Sequence, residues 1–244
     1  MRLTNRDRQL IQLISECRLL TAKQIQLALF PLKHDSRCQL RLTLLKRHRY
    51  IDHLPNRLVN QPAVYLLSRK NRVSFDLLRE YWDDDTIRSY MIAPGSVQHL
   101  LGINDVRVRV LRACQELGYQ LVLWKRSEDL AELLQDDGLI PDAYFKVSRM
   151  VDGQPRTSAF FLELQRANKS KLVLKSKLDK YNTLYNSGRF QRIFETRALR
   201  VLFVFTSEYG VNIKHRIRSS IELAQEQNLA LIRSTALDEI KKTG

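Results

Sequence analysis

The sequence predicts an α+β protein in which a small helical module with a β-hairpin precedes a mixed α/β domain. Three observations carry this prediction. Residues 3–47 contain three short helical patterns, and two short apolar runs follow them at 50–54 and 63–67. A second pair of apolar runs flanks the turn-forming stretch 152–155. Residues 199–205 are almost continuously apolar, which is typical of a buried central strand.

Composition is that of a globular protein. The chain has 244 residues, of which 44% are hydrophobic and 27% charged, enough for one large or two small domains with real cores. No apolar run approaches the roughly 20 residues that a membrane helix needs, and the N-terminus lacks the apolar stretch of a signal peptide. Three distant cysteines fit buried free thiols in a reducing cytoplasm. We therefore expect a cytoplasmic protein with no membrane partner.

Positive charge is concentrated near the N-terminus. Residues 1–72 hold 15 Lys and Arg against 4 Asp and Glu, a net charge of +11, whereas the other 172 residues hold 26 against 22, a net charge of +4. A basic surface that only keeps the protein in solution is the alternative, but it would not require most of the positive charge to lie within residues 1–72. The distribution favours a polyanionic partner, and nucleic acid is the leading one.

The helices of the basic module have recognisable start signals. Thr4 precedes Asp7 by three residues, and Thr21 precedes Gln24 by three. This is the spacing of a capping box, in which each side chain bonds the other residue's backbone N–H. A third helix is predicted after Asp35, with Cys38, Leu42 and Leu45 on its buried face.

Three short helices followed by a hairpin resemble a winged helix-turn-helix domain, and the likeness covers residues 3–70. In that family the third helix enters the major groove of double-stranded DNA and the hairpin touches the backbone. The resemblance implies that Arg37, Gln39 and Arg41 read bases and that Lys46, Arg47 and Arg57 contact phosphate, with no cofactor required. A winged helix used for protein contacts is the alternative, against which the +11 charge argues.

A second group of polar residues lies in the later hairpin. Asp142 opens its first strand, while Glu163 and Gln165 are two residues apart on the other and therefore share a face. Two carboxylates brought together there could hold a hard divalent cation, and such a cation activates water. Taken by themselves, these residues also fit a turn aspartate and an ordinary surface glutamate.

Pro141-Asp142 is followed by 20 intervening residues and then by Glu163-Leu164-Gln165, which precede a basic helix. This pattern resembles the PD-(D/E)XK nuclease superfamily. The likeness covers about residues 97–233. It implies a Mg²⁺ or Mn²⁺ site built from Asp142 and Glu163, with Glu128 as a further acid. The family's lysine, two residues after the glutamate, is Gln165 here, which favours lost catalysis. If the site is active, Lys171 or Lys175 on the following helix would supply the positive charge.

A narrower resemblance unites the halves. The chain has the winged helix first, then His99-Leu100 and Asn104-Asp105 in a long helix, then Trp124, and then the acids Glu128, Asp142 and Glu163. In this order of features it is similar to the replication-relaxation family of bacterial plasmids and other mobile elements. We expect three parts: a DNA-binding domain at 1–72, a helical linker at 73–96 and a nuclease-like domain at 97–244.

Three functions remain open. The first is a sequence-specific DNA-binding regulator or accessory of plasmid replication or transfer, associated with the nucleoid or a plasmid. Its degenerate nuclease-like domain would serve dimerisation, because a homodimer places two readers on a palindromic site. The second is a metal-dependent DNA endonuclease or nickase targeted by the winged helix. The third is a scaffold that recruits a relaxase or a replication protein.

Overall fold

In a computed structural model the chain is an α+β protein, as the sequence predicts. The structure describes residues 2–30, 35–54, 62–81, 94–166, 171–196, 198, 200–206, 213–226 and 232–237. Contacts between residues separate two compact units, Met1–Arg112 and Ala113–Gly244. Within the described ranges, no helix is long and apolar enough to cross a membrane.

The first unit has the predicted order of three helices and a hairpin. Its elements are α1 (Asn5–Cys17), β1 (Leu20–Thr21), α2 (Ala22–Leu29), α3 (Asp35–Arg47), β2 (Ile51–His53), β3 (Val64–Leu67), α4 (Arg72–Tyr81) and most of α5 (Pro94–Leu117). The short strand β1 joins the hairpin, so the sheet order is β1-β3-β2 with antiparallel pairs. The hairpin tip, residues 55–61, lies outside the described residues.

The local signals in this unit act as predicted. Thr4 and Thr21 cap α1 and α2 through complete capping boxes. On α3 the stripe of Cys38, Leu42 and Leu45 is buried in a core formed with α1, α2 and β3. All three cysteines of the chain are buried thiols, in agreement with the sequence-based expectation.

Helix α5 differs from the expectation that it opens the second domain. It begins at Pro94 rather than after Ser96, and Val97, Leu101 and Val108 belong to the core of the first unit. The described part of α4, expected to belong to a linker, also packs there through Phe75. The apolar sides of both helices are buried by the first core, and this explains why the contacts divide at 112–113.

Polar side chains attach α5 to the end of α1. Asn104 Nδ2 donates to the carbonyl oxygens of Cys17 at 3.0 Å and Leu19 at 2.7 Å. Gln24 Nε2 donates to the carbonyl oxygen of Leu101 at 2.7 Å. The last carbonyls of a helix lack partners within it, so Asn104 satisfies groups that α1 itself cannot.

The second unit is built on a five-stranded mixed sheet. It contains the end of α5, β4 (Gln120–Arg126), α6 (Ser127–Leu134), a 3₁₀ turn (Gln135–Asp137), β5 (Ala143–Val151), β6 (Gln154–Gln165), α7 (Lys171–Asn186), α8 (Arg189–Phe194), β7 (Val201–Phe205), α9 (Ile213–Glu226) and β8 (Ile232–Ala236). The strand order is β4-β5-β6-β7-β8. The first three strands are antiparallel, and β6, β7 and β8 are parallel.

Two short helices, α6 and α8, were not predicted from the sequence, and the last strand was predicted at 229–232. Residues 227–231 lie outside the described ranges, and the observed strand begins at Ile232. The β5–β6 hairpin is longer than predicted, because only Asp152 and Gly153 form its turn. Both have positive φ, 52° and 74°, as a type I′ turn requires.

One face of this sheet carries the core of the unit. Helices α6, α7, α8 and α9 all contribute buried side chains to it. From the sheet, Tyr144, Phe161 and Phe203 are buried against them. Side chains alternate along a strand, so Glu163 and Gln165 share the face of Phe161 and point towards the helices rather than towards solvent.

Candidate functional site

The outward face of α3 is basic. Arg37, Gln39, Lys46 and Arg47 are exposed, and so is Leu40. The buried stripe of α3 leaves these side chains on the opposite side of the helix. Arginine and glutamine can each bond two atoms of one base edge, so this face has the chemistry to read DNA.

Arg41, one of the expected base readers, is engaged inside the first unit. Its Nε donates to Asp7 Oδ1 at 2.8 Å, and its Nη2 donates to Asp7 Oδ2. Asp7 is buried, and Thr4 also donates to it from its backbone N at 2.7 Å and its Oγ1 at 2.6 Å. This bidentate pair joins α3 to α1, and we assign Arg41 a structural contact.

Burial by itself would raise the pKa of Asp7. The hydrogen bonds from Arg41 and Thr4 more than offset this effect, and the pKa of Asp7 lies below its usual value. The carboxylate is therefore charged at neutral pH, and the ion pair is present under ordinary conditions.

Two of the three residues expected to contact phosphate lie in the described part of the chain. Lys46 and Arg47 are exposed in the last turn of α3, and Lys46 Nζ lies 3.0 Å from His53 Nδ1 on β2. Arg57 lies outside the described residues. Arg49 lies two residues after the end of α3 and is also exposed; it was not selected from the sequence, although its position two residues after Arg47 was the available signal.

In the second unit Asp142, the residue before β5, lies beside the end of β6 that carries Glu163. Ala143 pairs with Leu162, and the N–H of Asp142 donates to the Leu162 carbonyl at 3.1 Å. The carboxylate of Asp142 accepts a 2.6 Å hydrogen bond from the N–H of Leu164. The two acids predicted as a pair are therefore neighbours.

Glu163 is fully buried and bonded on both oxygens, which contradicts the alternative of a surface glutamate. Lys177 Nζ donates to Oε2 in an ion pair, and Tyr181 OH donates to Oε1 at 2.7 Å. Lys177 and Tyr181 are four residues apart on α7, so they lie on one face of that helix. The three side chains form a compact buried cluster, called here the Glu163 cluster.

Burial dominates the electrostatics of this cluster. Removal from water raises the pKa of Glu163 to about 7, and the nearby charge of Asp142 acts in the same direction, while Lys177 opposes both. Burial and the neighbouring Glu163 also raise the pKa of Tyr181 well above its usual value. Tyr181 therefore stays protonated and acts as a hydrogen-bond donor.

Among the described residues, two buried polar atoms next to this cluster have no hydrogen-bond partner. They are Gln165 Nε2 and Thr206 Oγ1. The two residues adjoin, because the N–H of Thr206 donates to the Gln165 carbonyl at 3.2 Å. Buried polar groups are normally satisfied, so the end of β6 and β7 offers a donor and a hydroxyl to a water or ligand oxygen.

Of the other residues expected around a metal, Glu128 and Lys175 do not lie at the cluster. Glu128 is exposed in the first turn of α6 and accepts from Ser127 Oγ at 3.2 Å. Lys175 is exposed on α7, and the side chain of Lys171 lies outside the described part of the chain. Lys177 stands instead at the cluster. The signal for it was its spacing, three residues after Leu174 and four before Tyr181, both on the predicted apolar face of α7.

The arrangement does not fit a divalent metal ion. A hard cation needs several oxygen ligands, but both oxygens of Glu163 already accept hydrogen bonds. No group of three His, Cys, Asp or Glu side chains that could hold a metal occurs in the described ranges. The ammonium of Lys177 is the cation that pairs with Glu163.

Comparison with known proteins adds one match. The family model described as replication-relaxation matches residues 11–196, which are 186 of the 244 residues. No curated protein and no solved structure matches the chain significantly. The matched region includes α3 and the Glu163 cluster, and the family description connects the chain with replication. Since the match covers well over half of its length, the chain belongs to the replication-relaxation family.

Proposed function

We propose that this protein binds double-stranded DNA in a sequence-specific manner. It would act on a bacterial mobile element, as a regulator or accessory factor in plasmid replication or transfer. The observation that carries the proposal is the outward face of α3, where Arg37, Gln39, Lys46 and Arg47 are exposed. Membership of the replication-relaxation family is in keeping with it.

Charge supports DNA as the partner. Residues 1–72 carry a net charge of +11, and cations that neutralise phosphates supply most of the non-specific affinity for DNA. Of the cations on α3, Arg41 is held by Asp7, so Arg37 is the best placed guanidinium for base reading. Lys46 and Arg47 are then expected to contact the backbone.

The test is selection from a randomised duplex library, followed by fluorescence anisotropy with the selected duplex and a scrambled competitor. We expect Arg37→Ala to weaken binding to the selected duplex about 10- to 100-fold and to relax one base position. Arg72→Ala is the matched control, because Arg72 is an exposed arginine on α4 of the same unit. No preference for any sequence at moderate salt would refute the proposal.

The second unit is proposed to serve dimerisation rather than catalysis. A homodimer would present two copies of α3 to a palindromic site. Sedimentation of the full chain with the selected duplex tests this part, and one protein chain per duplex would count against it.

A metal-dependent endonuclease is the second candidate. Its support is that Asp142, the residue before β5, lies next to Glu163 on β6, with Gln165 two residues further along the strand. The ammonium of Lys177 in the cluster argues against it. Calorimetry with Mn²⁺ on wild type and on Asp142→Ala decides: binding that is lost in the variant favours the nuclease, and a plasmid cleavage assay would follow.

A further inference from the structure

Leu40 is an exposed leucine at the centre of a charged surface. Its side chain is 58% exposed, and it lies two residues after the buried Cys38, which is about 200° of rotation around the helix. It therefore occupies the outermost line of α3, opposite the buried stripe. Exposed Arg37 precedes it by three residues, and exposed Arg47 follows it by seven, on the same side.

Packing does not explain a leucine at this position. The buried stripe of Cys38, Leu42 and Leu45 already attaches α3 to the core. Leu44 is half-buried, and within α3 Leu40 is the one apolar side chain that is exposed. A polar residue at this position would leave the fold unchanged and remove exposed apolar area.

The surroundings favour DNA over a protein as the occupant. A stable protein interface buries about 800 Å² on each partner, and one exposed leucine does not provide an apolar centre for it. Arg37 lies one helical turn before Leu40, Arg47 lies two turns after it on the same side, and positive charge complements phosphate. In the major groove the apolar group within reach of a side chain is the C5-methyl of thymine.

We infer that Leu40 is a specificity-determining residue that contacts a pyrimidine C5-methyl group in the major groove. The inference rests on the proposed DNA-binding function and adds a chemical class of base to it. The methyl group belongs to thymine or to 5-methylcytosine, which present it at the same place. Arg37 and Gln39 would hydrogen-bond to the edges of bases beside it. The recognised site would therefore contain a pyrimidine that carries a methyl group, next to a purine that Arg37 or Gln39 contacts.

The experiment uses the full-length protein and the selected duplex. In one series each thymine is replaced singly by deoxyuridine, which removes only the methyl group. In a second series each cytosine is replaced singly by 5-methylcytosine. We expect a change in affinity at one position only. In the deoxyuridine series wild type should bind about fourfold more weakly there, or in the 5-methylcytosine series about fourfold more tightly. One buried methyl group contributes binding free energy on this scale.

Leu40→Ala should abolish that single difference and leave the other positions unchanged. Leu40→Met should retain it, because methionine keeps an apolar contact of similar size. Val73→Ala is the matched control: Val73 is a 49% exposed apolar residue on α4, and its variant should behave as wild type. Exposure of Leu40 means that its variants should fold, which circular dichroism verifies.

The outcomes separate the two proposals. If no duplex is selected, the DNA-binding function itself fails. If a duplex is selected and Leu40→Ala shows the same methyl profile as wild type, the function stands and the role of Leu40 is refuted. A loss of self-association in Leu40→Ala, with an unchanged methyl profile, would reassign the residue to a protein contact and also overturn the inference.

Discussion

The ammonium group of Lys177 forms an ion pair with the fully buried carboxylate of Glu163. The pair joins α7 to the centre of the sheet, and Tyr181 completes it from the same side of the helix. The pair predicts how the stability of the protein changes when either partner is replaced. Both predictions distinguish a structural ion pair from a site that binds a metal cation.

Replacement of Lys177 by methionine should strongly destabilise the protein. The change leaves Glu163 buried without its cation, and breaking one side of a buried pair costs about 3–5 kcal/mol. The loss should be smaller at pH 5, where Glu163 can be protonated, than at pH 8. Urea unfolding at the two pH values measures it. Lys175→Met, at an exposed position of α7, is the control, and equal effects of the two variants would contradict the structure.

Glu163→Gln should flatten the dependence of stability on pH. The pKa of Glu163 is raised from 4.5 in the unfolded chain to about 7 in the folded protein. The folded state thus binds the proton more tightly, so this contribution is fully present below pH 4.5 and is lost as the pH rises through 7. We expect the wild-type free energy of unfolding to fall by roughly 2–3 kcal/mol across that window from this group, and the variant to lack the fall. Glu128→Gln, at an exposed site, should retain it.

The Asp7–Arg41 pair should respond to pH in the opposite direction. Because the pKa of Asp7 is lowered by its partners, its stabilisation is present above about pH 4 and is lost as the pH falls through the folded-state pKa. Asp7→Asn should reduce the free energy of unfolding at pH 7 by about 3 kcal/mol and weaken the acid dependence. Thermal unfolding between pH 3 and pH 7 checks both; an unchanged midpoint at pH 7 would refute the buried pair.

Replacement of Arg41 should lower the stability of the fold, whereas replacement of Arg37 should weaken DNA binding. Arg41→Ala leaves the buried Asp7 without its cation, so it should lower stability by a similar amount, and any loss of DNA binding should follow the unfolded fraction. Arg37→Ala should leave stability unchanged and weaken binding of the selected duplex. Binding isotherms measured well below each variant's melting temperature distinguish the two. Weak binding by a fully folded Arg41→Ala would restore Arg41 as a base reader.

Asn104→Leu should loosen the end of α1. The change removes the donor to the carbonyl oxygens of Cys17 and Leu19. The Cys17 carbonyl still accepts from the N–H of Leu19 at 2.8 Å, so the cost arises at the Leu19 carbonyl, and an unsatisfied buried acceptor costs about 1–3 kcal/mol. Hydrogen exchange of the α1 amides should accelerate in the variant. Gln115→Leu, at an exposed position of α5, should leave that exchange unchanged, and protection that persists in Asn104→Leu would exclude this role.

Several features of the fold were predictable because they depend on neighbouring residues. The capping boxes of α1 and α2 need only a spacing of three. The buried stripe of α3 follows from helical periodicity, and the apolar run of β7 indicates a strand buried on both faces. The acids Asp142 and Glu163 were found through a short motif, and their convergence depended on a strand register that the sequence leaves open.

By itself, the sequence determined the fold class, the order of the main elements, the concentration of charge before residue 73 and the identity of the candidate residues. Only the tertiary structure decided which of these side chains are available. Arg41 finds its partner 34 residues away in Asp7, and Lys177 finds Glu163 14 residues away on another element. Helical and strand periodicities specify which face a side chain occupies, but an ion pair between elements depends on how their faces meet. That meeting is set by packing of the whole core, because buried charges must be paired wherever packing leaves them.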